Sequence, residues 1–214
     1  GQAHADVAWF NLGVLLGASG DHAGAEAAYR QAVALLPGFA EARINLGSQI
    51  EAQGRRGEAL EHWQDLLQGS LLDAPERAPL RVHLLNNLGR ALEIEKRFQQ
   101  AEAMLTASLR IRPDQTDVLQ HWVHLRQKQC EWPVFTPLDG VDDGLMVRAA
   151  SPLAMLAAFD DPAMLLYRAT AFVAEKVDVD WRKQARAPRR PHDRIRIGYL
   201  SSDFRLHAVS MLMI

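Results

Sequence analysis

The chain has 214 residues, 48% hydrophobic and 23% charged, with a formal net charge of −2. This composition excludes a disordered polyelectrolyte and supplies no global field to draw the chain to nucleic acid or an anionic membrane. Cys130 is the single cysteine, which excludes an internal disulfide and a cysteine-rich zinc site. No apolar run reaches the length of a membrane span, and the opening GQAHADVAWF lacks a basic segment followed by an apolar one. A cytoplasmic setting is the expectation, and the abundance of alanine, leucine and arginine favours helix over sheet.

A repeat opens the chain. Gly13 in AWFNLGVLL and Gly47 in ARINLGSQI set a period of about 34 residues. Gly89 in HLLNNLGRAL follows one such period plus eight positions later. Aligned on these glycines, the first unit shows Trp9, Leu12, Gly13, Leu16, Ala25, Tyr29, Ala32 and Pro37. The second keeps Leu46, Gly47, Ile50, Ala59 and Trp63, with Arg43 at the tryptophan position and Leu71 instead of the closing proline. The third keeps Leu85, Leu88, Gly89, Leu92, Ala101 and Pro113, with Leu105 replacing the large aromatic. This pattern resembles the tetratricopeptide repeat, a helix–turn–helix unit of the same period.

The spacing predicts two antiparallel helices per unit, brought close by the small residues Gly13 and Ala25. Leu12, Leu16, Tyr29 and Val33 are expected to fill the seam at helical period. Pro37 and Pro113 should stop the second helices, because proline removes a backbone donor and clashes with the preceding turn. One pair cannot bury its own apolar face, so the units should stack over residues 1–115 as an α-solenoid. The eight extra residues lie between Leu67 and Leu80, in QGSLLDAPERAP, which reads as a loop through Gly69, Pro75 and Pro79. The first unit starts without a polar capping helix. Either more repeats precede Gly1 in the parent protein, or that end packs on something else.

Asn11, Asn45 and Asn87 recur two positions before each glycine, on the first helix of each pair. That helix lines the concave surface of such a superhelix. An asparagine amide both donates and accepts, so a row of them can grip a peptide backbone whatever its side chains. The alternative is that each bonds its own helix or a neighbouring repeat. His121 and His124 are three apart on a predicted helix and could share a metal, but no third ligand of suitable spacing is present, which favours a solvated or hydrogen-bonded role. Arg55–Arg56 and the seven basic residues from Arg182 to Arg196 could meet phosphates; a solvated linker is the preferred reading of both.

Beyond the repeats, a helix is predicted over Thr116–Gln129 and ends before Pro133. PVFTPLDGVDDG reads as loop. Ser151–Pro152 and Asp161–Pro162 each place a capping residue before a proline at the first helical position, predicting helices over Leu153–Phe159 and Ala163–Val177. Residues 116–190 are thus a helical linker region closed by a polar, proline-bearing link. At 191–214 the pattern changes: RIRIGYL alternates as a strand, and SSDFRLHAVSMLMI follows as a turn and an opening helix. A strand, a Ser/Asp turn and a helix is how a nucleotide-binding α/β domain begins.

Together, the repeats, the CEW element at Cys130–Trp132, SPLAMLAAFDDP and RIRIGYLSSDFRLHAV resemble the O-GlcNAc transferase family, including its bacterial and SPINDLY-type members. The resemblance implies an inverting glycosyltransferase of the two-Rossmann-domain (GT-B) type that needs no metal and no cofactor. It would move N-acetylglucosamine from UDP-GlcNAc, as a sugar-nucleotide substrate, to serine or threonine hydroxyls of proteins. It also implies that the asparagine row is a peptide-gripping ladder holding acceptor proteins, and that His207, which matches the family's active-site histidine, serves as a base or as a sugar or peptide contact. Two departures stand out: only three full repeats are present, and the chain ends before almost all nucleotide-binding residues. Two Rossmann domains need roughly 300 further residues. The 214-residue chain alone is therefore expected to be inactive. The alternative reading is a non-catalytic repeat adaptor for protein–protein interaction.

Overall fold

The computed structural model describes residues 4–176, which hold ten α-helices and no strand. The chain divides into two compact units, 1–172 and 173–214, and only residues 173–176 of the second are described. The strand predicted at 194–200, and with it the Rossmann-like part of the expected fold, lies outside the described residues.

Helices α1 (Ala5–Ala18) and α2 (His22–Leu35) form the first pair, and α3 (Ala40–Ala52) and α4 (Arg56–Gln68) the second. The third pair is α5 (Ala78–Ile94) and α6 (Phe98–Ile111), and α7 (Thr116–Lys128) is a fourth first helix. Each second helix packs on its own first helix and on the first helix of the next pair. Between first and second helices the backbone turns through positive φ at Gly20, Gly54, Lys96 and Cys130, with φ of 85°, 82°, 59° and 57°. These four positions repeat at the spacing of the signature glycines. Two of them hold side chains that pay a steric cost for the left-handed conformation, which glycine avoids. At the far ends, Pro37 and Pro113 hold Leu36 and Arg112 out of the helical region, with ψ of 89° and 95°.

The signature glycines are explained by a knob sixteen residues later. A Cβ on Gly13 would lie 2.8 Å from Tyr29 Cε1, on Gly47 2.6 Å from Trp63 Cε2, and on Gly89 2.9 Å from Leu105 Cγ. Each second helix therefore lowers one large side chain onto bare backbone. Trp63 is 0% exposed, and its Nε1 donates to the Ile44 carbonyl at 3.1 Å. From α3 onwards the core is continuous through Ile44, Leu84, Leu88, Leu109, Leu119 and Leu125. The first unit departs from the expected seam: Leu12 is exposed, because it faces outward from α1 and among the described residues no second helix lies over it.

The eight-residue insertion, expected as loop, contains two short 3-10 turns, Ser70–Leu72 and Pro75–Arg77, pinned by buried Leu72. After α7, the segment read wholly as loop gives way to a helix, α8 (Asp143–Ala149). The Asp142 side chain caps it by accepting from the Leu145 N–H at 2.6 Å. Helices α9 (Pro152–Ala158) and α10 (Pro162–Lys176) follow the two sequence-based expectations within a residue. Their caps are those expected, with Ser151 Oγ accepting from Ala154 N and Asp161 Oδ1 from Ala163 N. Arg126 ties the segment after α7 to the repeats: Nε donates to Val134 O, Nη2 to Pro133 O, and Nη1 pairs with Glu102 at 2.7 Å.

Candidate functional site

The three asparagines occupy one register on α1, α3 and α5, but their surroundings differ. Asn11 is exposed. Asn45 is half-buried, and its Nδ2 donates to Tyr29 Oη on the preceding second helix at 3.4 Å, near the limit for such a bond. Burial pushes the Tyr29 phenol above its ordinary range, and the Asn45 bond works in the opposite sense. Asn87 is also half-buried, but its Nδ2 is covered and has no hydrogen-bond partner. A donor left in that state costs about 1–3 kcal/mol. The neighbour-bonded alternative thus describes Asn45, whereas no internal partner occupies the amides of Asn11 and Asn87.

A fourth residue belongs to this register. His121 on α7 stands one repeat period after Asn87, a placement that its pairing with His124 as a metal couple obscures. His121 Nδ1 lies 3.2 Å from Glu93 Oε2, and Lys128 Nζ lies 3.1 Å from Glu93 Oε1. His121 and Lys128, with His124, Asp117, Ser151 and Leu153, line an open groove of about 840 Å³ between α7 and α9. Among the described residues no group of three or more His, Cys, Asp or Glu side chains could hold a metal ion.

Charged joints stitch the repeats together beside this surface. Glu26 is 4% exposed and meets Arg30 at 2.5 Å, Arg55 at 2.6 Å and Gln53 Nε2 at 2.5 Å. Burial alone would raise its carboxyl, but the bonds from Arg55 and Gln53 and the charge of Arg30 outweigh that and hold it below the usual carboxylate range. Arg56 reaches Glu95 at 3.1 Å and Glu51 at 3.5 Å, and Glu51 also pairs with Arg90. Arg55 thus ties α2 to the start of α4, and Arg56 ties the start of α4 to α3 and to the end of α5, so both are engaged in ion pairs and do not form a solvated linker. The basic segment 182–196 and His207 lie outside the described residues.

A family model described as tetratricopeptide repeat matches residues 7–39, and another of the same description matches 82–115. The stack is built of tetratricopeptide repeats. The middle unit joins them by register, with Gly47 and Trp63 in the places of Gly13 and Tyr29. Three solved structures illustrate the fold. PilF of Pseudomonas aeruginosa is 20% identical with a TM-score of 0.60, over 86% of this chain and 82% of that one. A MamA protein is 15% identical with a TM-score of 0.58, over 89% of this chain and 100% of that one. PilW, described as a type IV pilus biogenesis factor, is 15% identical with a TM-score of 0.56, over 86% and 84%. At such identities the likeness shows the tetratricopeptide fold alone. No curated protein sequence matches the chain.

Proposed function

We propose that the tetratricopeptide stack is a protein-interaction scaffold that holds an extended polypeptide along its first-helix surface. The observation that carries this reading is the single register of Asn11, Asn45 and Asn87 on α1, α3 and α5, with Asn11 open on the first-helix surface. Backbone amides of an extended segment offer the complementary groups at each step, so the surface selects for an exposed, unfolded stretch rather than one sequence. Asn11→Ala, Asn45→Ala and Asn87→Ala combined should weaken capture of long unfolded polypeptides more than of short peptides, by about 1 kcal/mol for each amide removed. Equal weakening for long and short ligands, or a clear fall in thermal stability, overturns it.

A finer reading makes the held polypeptide the acceptor of a protein O-glycosyltransferase using UDP-GlcNAc. It is supported by the resemblance carried by Cys130–Trp132 and by RIRIGYLSSDFRLHAV, with His207 as the candidate active-site residue. Incubating the native polypeptide with acceptor proteins and radiolabelled nucleotide sugars tests it. Label transfer that His207→Ala lowers at least about tenfold, with folding intact, supports the assignment. Binding of partners without any transfer leaves the adaptor reading in possession and removes the enzyme.

A further inference from the structure

The segment after α7 encloses a cavity that belongs to none of the repeats. Phe135, Asp143, Met146, Val147, Phe159 and Met164 line about 340 Å³ between the loop after α7, helix α8 and the start of α10. Ligand pockets run from about 300 to 1,000 Å³, so this one suits a group the size of a single side chain. Its walls are fixed independently of one another. Arg126 bonds the carbonyls of Pro133 and Val134 just before Phe135, and the Asp142 carboxylate caps α8. Arg168 Nε donates to the Ala150 carbonyl at 2.7 Å and holds α10 against the end of α8. Between these walls the Phe135 and Phe159 rings stand 4.9 Å apart at an interplanar angle of 40°. Met146 is buried, and Val147 and Met164 are half-buried.

Asp143 is the one charged side chain in this lining. It is exposed, and among the described residues its carboxylate has neither a hydrogen bond nor an ion pair. The neighbouring carboxylates are taken: Asp142 caps α8, and Asp139 lies 3.9 Å from Arg110. Arg148, the one cation on α8, lies over Gly144, with Nη1 3.2 Å from the place a Cβ would take, and does not line the cavity. We propose that the cavity is a binding site for an arginine side chain of a partner polypeptide. A guanidinium meets a carboxylate with two parallel N–H groups, and its flat face stacks on aromatic rings. Its apolar stem covers hydrophobic surface, which Met146, Val147 and Met164 supply. An anionic group would be repelled by Asp143, and a wholly apolar one would leave that carboxylate without a counter-charge. The site lies beyond the repeats and stands whether or not the asparagine row holds a peptide.

The test labels the methionine methyl groups of the full chain with carbon-13 and titrates it with N-acetyl-arginine amide. N-acetyl-citrulline amide, a neutral ligand of nearly the same shape, is titrated at matched ionic strength. The expected result is a saturable shift of the Met146 and Met164 methyl signals, with Met104, which lines a separate groove between α4 and α6, unmoved. Citrulline should bind about tenfold more weakly, the loss of one charge-assisted bond. Asp143→Asn should lower arginine affinity by the same factor and leave citrulline unchanged. That ratio separates a ligand contact from a role in steadying the first turn of α8, which would weaken both ligands alike. Weakening of both by Asp143→Asn, equal binding of arginine and citrulline, or no saturable shift at Met146 and Met164 overturns the proposal.

Discussion

Replacing Gly47 by alanine adds a single methyl group at the tightest backbone approach in the stack. The new Cβ would sit 2.6 Å from Trp63 Cε2 and 2.7 Å from Cδ1, where carbon atoms pack comfortably at about 3.5–4.0 Å. Trp63 would have to retreat by about 1 Å, yet its side chain is fully buried in a close-packed core. Such overpacking costs about 1–3 kcal/mol. The retreat also draws Nε1 away from the Ile44 carbonyl, and an unmade buried bond costs about 1–3 kcal/mol more. Alanine returns about 1 kcal/mol through helix propensity. The net expectation is a loss of about 3 kcal/mol, read as a lower urea midpoint with unchanged slope by circular dichroism. Gly57→Ala is the internal control. It lies in α4 with no atom within 4 Å of its added Cβ, so it should be neutral or stabilising by up to about 1 kcal/mol. Gly89→Ala should fall between them, because it meets a branched leucine end that can rotate away. Equal midpoints for the Gly47 and Gly57 variants would refute the account of the signature glycine as a seat for the knob.

Lys96→Gly and Cys130→Gly should each stabilise the chain by about 1 kcal/mol in thermal unfolding, because both residues hold positive φ at the position where the earlier units use glycine. A destabilising effect at both would contradict the repeat register of these turns. Glu26 has a folded-state pKa below its unfolded value, so its contribution is present above the ordinary carboxylate range and lost as pH falls through the lowered value. Between about pH 5 and pH 3 the wild-type urea midpoint should therefore fall further than that of Glu26→Gln; parallel decline of the two would remove Glu26 as a source of acid sensitivity. Arg126→Ala should cost about 1–3 kcal/mol, since it takes the charged donor from Glu102, which keeps only Gln129, and leaves the Val134 carbonyl without its donor. Hydrogen exchange should quicken at Met146 and Ala150, and unaltered protection there would mean the segment after α7 is held by apolar packing alone.

Local, periodic physics was legible in the chain. The spacing of Gly13, Gly47 and Gly89 located three helix pairs because close backbone approach requires the same small residue at each step. Pro37 and Pro113 marked helix ends because proline acts on its immediate neighbours. Ser151 and Asp161 marked helix starts for the same local reason. Where the chain folds without a period, reading ran short. Helix α8 has seven residues, too few to show a helical stripe or to hold together in isolation, and it exists because Met146 and Ala149 are buried by the rest of the fold. The positive φ of Lys96 and Cys130 left no trace in their residue types.

The asparagine row shows the same division at the candidate site. Its register could be counted in the sequence, and so could the place of His121, had the period been carried one unit further. Whether each amide is free could not, because the answer depends on Tyr29 reaching Asn45 across a repeat boundary and on nothing reaching Asn87. The fates of Arg55, Arg56 and Leu12 were decided in the same way. The arginines meet carboxylates 29 and 39 positions away in the chain, and Leu12 lies exposed because among the described residues no helix covers it as α2, α4 and α6 cover α3, α5 and α7. Which positions face a neighbour follows from the helical period alone; whether that neighbour is present is a property of the packed stack.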